Sequence, residues 1–470
     1  MSDRGPDEVA LPAASQPAGR GPFGRADRRL AALLGLAVFL LYNLNFRSIT
    51  SGDCLPARFL PFAVLEKRSL HLDLVLDATR QGHQETYWIV TTRDGRSASM
   101  YPIITPLLVT PLYIPAWLYL KQAGWTQRRL ADTGALMEKV GASAVASVTV
   151  ALLFLALRRR LPQGNALLLA AVFAAGTNTW VIGSQGLWQH GAGELFVALA
   201  LLAITGAPSW WNVLLAGAAV GLLPANRPPD LLLALGFAAY APFWARKKTL
   251  LFALAAMAPL LLTAAYNVWM FGRLTGGYGA VGVVEPRFFA GSVLVGIAGL
   301  LVSPGKGLFV FSPFLLFLPV LFRRSLAEPA QRALTLCLAG GALLQIVLYA
   351  RTDWRAGYSW GPRFLTDMLP ILVWMLAPVF QSLARWPRRG FVAASLFAVA
   401  VQMVGAFRYQ GTSDILMYLG PGRPDLLAWR PEHTPFWVEL KSGFAPMPFL
   451  RLFGVDETMR VPGNWWRRRY

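Results

Sequence analysis

The chain has 470 residues, 55% of them hydrophobic and 14% charged, and a formal net charge of +20, with a mean hydropathy of +0.45. That balance excludes a set of two or three soluble domains and indicates one membrane domain. The basic excess, which in a soluble protein would suggest a nucleic-acid partner, here collects at the ends of apolar runs, as cytoplasmic anchors do: Arg158 to Arg160, Arg246 to Lys248, Arg323-Arg324 with Arg332, and Arg385 to Arg389.

Residues 1–29 are rich in Pro, Gly, Ala and charge and are predicted to form a disordered cytoplasmic tail. Crossing roughly 30 Å of hydrocarbon takes about 20 apolar residues. Uncharged runs at 30–46, 97–120, 140–157, 161–193, 195–226, 231–245, 249–272, 307–322, 333–350, 368–384 and 390–407 approach or exceed that length, and some must hold two helices. The run 195–226 breaks at Ala207-Pro208-Ser209, and the stretch Gly176 to Gly193 is too polar to face lipid throughout. Arg20, Arg25, Arg28 and Arg29 precede the first run, so its far end is expected to face outward. The two cysteines, Cys54 and Cys337, give no disulfide framework, and neither CxxC nor HExxH occurs.

Residues 47–99 then form an outer loop longer than a connector requires. Within it, 55–76 mixes apolar and charged positions at helical spacing, which predicts an interfacial amphipathic helix. With the basic clusters inside, 271–306, 351–367 and 408–470 fall outside, and 288–302 lies along the outer surface. The parity of crossings between 97 and 160 closes only if one segment is re-entrant. Neither a solenoid repeat nor an inverted pair of broken helices is evident.

The outer segments interleave Gly, Pro, Trp and Tyr with single Arg, Lys or Asp residues, a composition suited to a sugar linked to phosphate. Rings stack on sugar faces, glycines admit an anion to the backbone, and cations neutralise phosphate oxygens. In SGDCLPARFLPF (51–62), Asp53 follows the first helix and Arg58 lies five residues on. The carboxylate can deprotonate an acceptor hydroxyl or cap a helix. In SPGKGLFVFSP (303–313), glycines bracket Lys306 as an anion cradle or as a turn with a snorkelling lysine; the P-loop spacing is absent. In RTDWRAGYSWGPRFLTDMLP (351–370), Trp354, Tyr358 and Trp360 accompany Arg363, which follows Gly361-Pro362 and favours a ligand role over an interfacial belt. Arg227, within Asn226 to Asp230, interrupts an apolar stretch and requires an anion, a carbonyl or water. His190 and Glu194 form another polar cluster, with His190 a candidate acid or base or a hydrogen-bonded structural residue.

On these residues the chain resembles the GT-C superfamily of membrane glycosyltransferases, which includes protein O-mannosyltransferases, the lipid A aminoarabinose transferase and oligosaccharyltransferase. The resemblance rests on Asp53 in SGDCLPARFLPF, on YPIITPLLVTPLY beginning at Tyr101, and on the SPGKGLFVFSP and GYSWGPRFLTD segments, and it covers most of residues 30–407. It implies an all-α polytopic bundle of roughly 10–13 transmembrane helices, in keeping with bilayer-length runs, with a long first outer loop carrying amphipathic helices. It also implies a polyprenyl-phosphate-linked sugar donor, a lipid, glycan or protein acceptor, and Asp53 as general base. Tyr101, Arg58, Arg227, Lys306, Tyr358 and Arg363 would bind substrate, and His190 and Glu194 would serve as further acid–base candidates. The sequence departs from the family in carrying Asp53-Cys54 where several members have Asp-Glu, and Tyr101-Pro102 where a Lys or His is usual. No metal ligand set or cofactor is implied, although members differ in their use of a divalent cation.

The domain organisation expected is therefore a tail (1–29), a catalytic membrane domain (30–407) and an outer C-terminal cap (408–470) in which Trp429, Trp437, Trp465 and Trp466 lie against the membrane. The expected setting is a bacterial inner membrane with the site facing outward. Two other readings share the arginines: a transporter or flippase of a lipid-linked or anionic substrate, which would bury acids such as Glu138 and Glu194 within its crossings, and a lipid-linked glycan ligase or polymerase that needs no carboxylate base.

Overall fold

The computed structural model describes residues 23–79, 87–282 and 285–453. Among the described residues the protein is all-α with one two-stranded hairpin, and four helices are long and apolar enough to cross a membrane. The first helix, α1 (Arg25–Asn43), begins within the predicted tail, so Arg25, Arg28 and Arg29 form its opening turns. Residues 1–22, together with Trp465 and Trp466, lie outside the described residues.

α1 packs along α6 (Gln127–Arg158), with Asp27 paired to Arg158 at one end and Asn43 hydrogen-bonded to Ser143 toward the other. At 1.5 Å per residue the 32 residues of α6 extend about 48 Å, well beyond the ~30 Å of hydrocarbon. Its first turns therefore project past the bilayer beside α2 (Leu55–Lys67), where Gly134 lies against Arg58 and Phe59. Residues Pro56 to Ala63 of α2 are all buried, against α4 (Ile104–Val109), α5 (Ile114–Ala123) and α6. This corrects the prediction of an interfacial amphipathic helix: charge at helical spacing suggested an exposed face, but Arg58 is paired internally and the helix is enclosed from Pro56 to Ala63. After α2 come α3 (Asp73–Thr79) and the antiparallel hairpin β1 (Ile89–Thr91) with β2 (Ser97–Ser99).

The crossing parity closes at 104–123. Prolines at 106, 111 and 115 break this run into α4, a 3-10 turn and α5. The segment folds back on α2, with Tyr113 edge-on to Phe62 and Trp117 donating to Glu66, so α6 makes the crossing.

From Arg158 the chain passes back and forth through α7 (Gln163–Gly176), α8 (Gln189–Ile204), α9 (Trp210–Asn226), α10 (Leu231–Ala245) and α11 (Thr249–Phe271). α7 and α8 are joined through a π-helical turn, Thr179–Gly183, and buried polar chain. The break between α8 and α9 falls at the predicted Ala207-Pro208-Ser209, with Ser209 capping α9 through Asn212 N. α9 approaches α11 through Gly217 and Gly221, where a Cβ would meet the carbonyls of Phe252 and Ala256. Small residues four apart allow such close packing between helices that lack a hydrophobic driving force in lipid.

α12 (Gly276–Ala280) and α13 (Val293–Val302) follow, and α13, at about 15 Å, is too short to cross. It lies against Ala350 and Trp354, at the start of the 351–367 segment. The return pass is broken into α14 (Leu308–Phe311), α15 (Phe317–Val320) and α16 (Phe322–Ser325). α17 (Pro329–Ala350), α18 (Leu369–Gln381) and α19 (Arg385–Arg408) complete the bundle. The cap carries α20 (Thr412–Leu419), α21 (Pro424–Leu427) and α22 (Pro435–Lys441).

The basic clusters gather at one end. Arg160 pairs with Glu328, Arg324 donates to Ser382, and Arg388 donates to Asn165. The outer loop, the 351–367 segment and the cap meet at the other end, where Arg47 donates to Tyr409 O and Phe449 N to Phe46 O.

Candidate active site

Asp53 sits in a short 3-10 turn between α1 and α2, and Ser51 caps that turn by accepting from Asp53 N at 3.1 Å. The capping role therefore belongs to Ser51, and the Asp53 carboxylate points elsewhere. Its Oδ1 accepts from Tyr101 Oη at 2.6 Å and Tyr87 Oη at 2.7 Å, while Oδ2 accepts from Arg363 Nη1 at 2.7 Å. Burial alone would raise this carboxyl, but the Arg363 charge and the two phenol hydrogen bonds hold it below the ordinary carboxylate value. A quarter of the Asp53 side chain remains exposed, which leaves a path for an acceptor. Tyr87 lies so close to Gly52 that a Cβ there would collide with its hydroxyl.

Arg363 is delivered by a crowded turn. Gly361 has φ +57°, and a Cβ would meet the Phe311 ring and Asn178 Oδ1, so glycine is required on both conformational and steric grounds. Trp360 before it is fully buried between Phe311 and Tyr409 and accepts a hydrogen bond from Asn178 through its carbonyl. These aromatics anchor the segment inside the bundle. The Arg363 guanidinium stacks 4.3 Å from the Trp188 ring, and its buried Nε has no partner among the described residues.

A second cluster lies on the far side of Phe364, whose ring is 5.6 Å from the Arg363 guanidinium and 5.8 Å from that of Arg227. Asp367 Oδ2 accepts from Arg227 at 2.8 Å and faces His190 Nδ1 at 2.7 Å; Arg227 also lies 3.6 Å from Asp230, which accepts from Gln345. Asn226, hydrogen-bonded to Thr105 and the Gln189 carbonyl, fixes the turn that carries Arg227. Tyr278 bridges the two groups, edge-on to Tyr101 at 5.7 Å and donating to Gln189 Oε1 at 3.2 Å. Of the predicted residues, Asp53, Tyr101, Arg363, Arg227 and His190 thus lie in one polar seam.

Three predicted cations or aromatics and one acid do not join it. Arg58 pairs with buried Glu138, whose other oxygen accepts from Thr50 and Leu187 N. Lys306 neither snorkels nor lines a cradle. It is fully buried and spends its ammonium on the Gly357 and Ser359 carbonyls and on Asp414 at 3.0 Å, joining the 351–367 segment to the cap. Tyr358 stacks on Tyr418 of the cap at 5.1 Å. Glu194 is buried in α8 and accepts from Thr179 of the π turn at 2.5 Å. Among the described residues no group of three or more His, Cys, Asp or Glu is placed to hold a metal ion.

Sequence reasoning missed Tyr87, Tyr278 and Asp367. Tyr87 and Tyr278 carry no local signal, but Asp367 stands four residues after Arg363, at the end of the same motif. Asp367→Ala is expected to destabilise the fold by about 3–5 kcal/mol, because buried Arg227 loses its near carboxylate. Asp367→Asn, which keeps an acceptor, should cost less. Denaturant unfolding of the purified protein measures both, and an Asp367→Ala variant within about 0.5 kcal/mol of wild type would show that the cluster is not a structural ion pair.

Neither a protein-family model nor a curated protein matches the chain. Among solved structures it is similar to the crystal structure of ArnT from Cupriavidus metallidurans bound to undecaprenyl phosphate, at 15% identity and a TM-score of 0.46, over 88% of this chain and 76% of that one.

Proposed function

We propose that the chain is an inverting glycosyltransferase that moves a sugar from a polyprenyl-phosphate carrier to an acceptor hydroxyl, with Asp53 as general base. The observation that carries this reading is the ionised, partly exposed Asp53 held by Arg363 and two phenols at the end of the bundle opposite the basic anchors. Asp53 takes the hydroxyl proton as the acceptor oxygen attacks the anomeric carbon, and the bond from that carbon to the phosphate oxygen breaks on the opposite face. The polyprenyl phosphate departs as an anion toward Arg363, whose Nε–H has no partner among the described residues. Trp188, buried against Arg363, holds the guanidinium in place, and half-buried Tyr101 offers a ring to the sugar. In this reading the membrane is a bacterial inner membrane with the site outward, as the basic anchors at the other end support.

The carrier reading draws on a different observation: Glu194, Asp367 and His190 are buried among the crossings. One assay separates the two. Purified protein given a polyprenyl-phosphate-sugar donor in detergent should release free polyprenyl phosphate in step with acceptor glycosylation, read by mass spectrometry. Donor left intact across a panel of sugars and acceptors, together with its translocation in proteoliposomes, would establish the carrier instead.

A further inference from the structure

At the basic end, Arg385, Arg388 and Arg389 border a groove of ≈ 380 Å³ whose remaining lining is Val392, Ala393 and Leu396. All six residues lie on α19, and the spacing 385, 388, 392, 396 puts arginines and apolar side chains in one stripe along the helix. None of the three arginines is within ion-pair distance of a carboxylate among the described residues. Arg388 donates to the neutral Asn165 and lies over Phe380, and Arg389 lies over Trp386. The arginines are exposed, as is Leu396 at 65%.

We propose that this groove binds one anionic phospholipid, its phosphate held by the three guanidiniums and an acyl chain lying along Val392, Ala393 and Leu396. Charge selects the head group: three exposed cations without counter-ions favour an anion, and guanidinium forks match phosphate oxygens. The apolar continuation selects a lipid over a free phosphate, because the stripe leads from the arginines along a bilayer-length helix, where only an acyl chain meets it. Some other basic residues at this end are already engaged. Arg158 and Arg160 are neutralised by Asp27 and Glu328, and Lys248 is turned to the Pro208 carbonyl.

The test uses full-length protein in detergent, titrated with dioleoyl phosphatidylglycerol and read by native mass spectrometry and thermal shift. One tight lipid is expected, and neither dioleoyl phosphatidylcholine nor inorganic phosphate should substitute for it. Arg388→Gln and Arg389→Gln should each weaken phosphatidylglycerol binding about fivefold, as expected of a cation near an anionic lipid surface. Leu396→Trp, which fills the apolar half and leaves every charge in place, should weaken it as well. Lys247→Gln, in a basic cluster outside the groove, should leave it unchanged. The proposal is overturned if phosphatidylcholine or phosphate binds equally well, if Leu396→Trp has no effect, or if Lys247→Gln weakens binding as much as Arg389→Gln, which would mark diffuse attraction of the whole basic end.

Discussion

Asp53→Asn is expected to lower kcat for sugar transfer by about 10²–10⁴-fold, the usual contribution of a general base, with little change in the apparent affinity for the lipid donor. The amide oxygen can still accept from Tyr87 and Tyr101, while its NH2 replaces the oxygen that accepts from Arg363, so two of the three side-chain contacts of Asp53 are kept and the protein should still purify. The base and its ion pair with Arg363 are lost together. Steady-state kinetics with a polyprenyl-phosphate-sugar donor, alongside a melting curve, separate that loss from misfolding. Turnover retained in this variant would remove Asp53 from the chemistry and favour the ligase or carrier readings.

The second large effect concerns Arg363, which touches the base and faces the proposed leaving group. Asp53 has a depressed carboxyl, so it is ionised above the ordinary carboxylate range and loses its charge only as pH falls through its lowered value. Wild-type kcat/KM should therefore stay level from neutral pH downward and fall only in strong acid. Burial is the largest influence on Asp53 and acts upward; Arg363 is the largest of those opposing it. In Arg363→Gln the acid limb should move up toward neutral pH, and the plateau should drop about 10²–10³-fold, as when a group stabilising transition-state charge is removed. Arg363→Lys should restore part of the pH profile through its charge and less of the plateau, because an ammonium lacks the planar fork. An acid limb unmoved in Arg363→Gln would show that Asp53 does not set the pH dependence.

Both experiments depend on which arginine reaches Asp53, and here local sequence was misleading. Arg58 is five residues from Asp53 and on the following helix, whereas Arg363 is 310 residues away. Arg58 is withdrawn by Glu138, 80 residues distant, whose fully buried carboxylate requires a cation. Lys306 is withdrawn in the same way by Asp414, 108 residues on. A buried acid captures whichever cation the fold brings within reach, and that contact is not encoded by spacing along the chain.

The sequence by itself determined the helical membrane architecture, the sorting of basic residues to the ends of the apolar runs and the break at Ala207-Pro208-Ser209, and it singled out Asp53 and Arg363 as charged residues in polar segments between apolar runs. These follow from segment length, hydropathy, proline and charge, which act locally. Tertiary structure alone decided that α2 is buried, that the prolines of 104–123 turn the chain back, and that the cations divide between the candidate site and structural pairs. The reason is physical: in a medium that leaves no polar group unpaired, each charge takes the partner that packing places beside it, and packing is a property of the whole bundle.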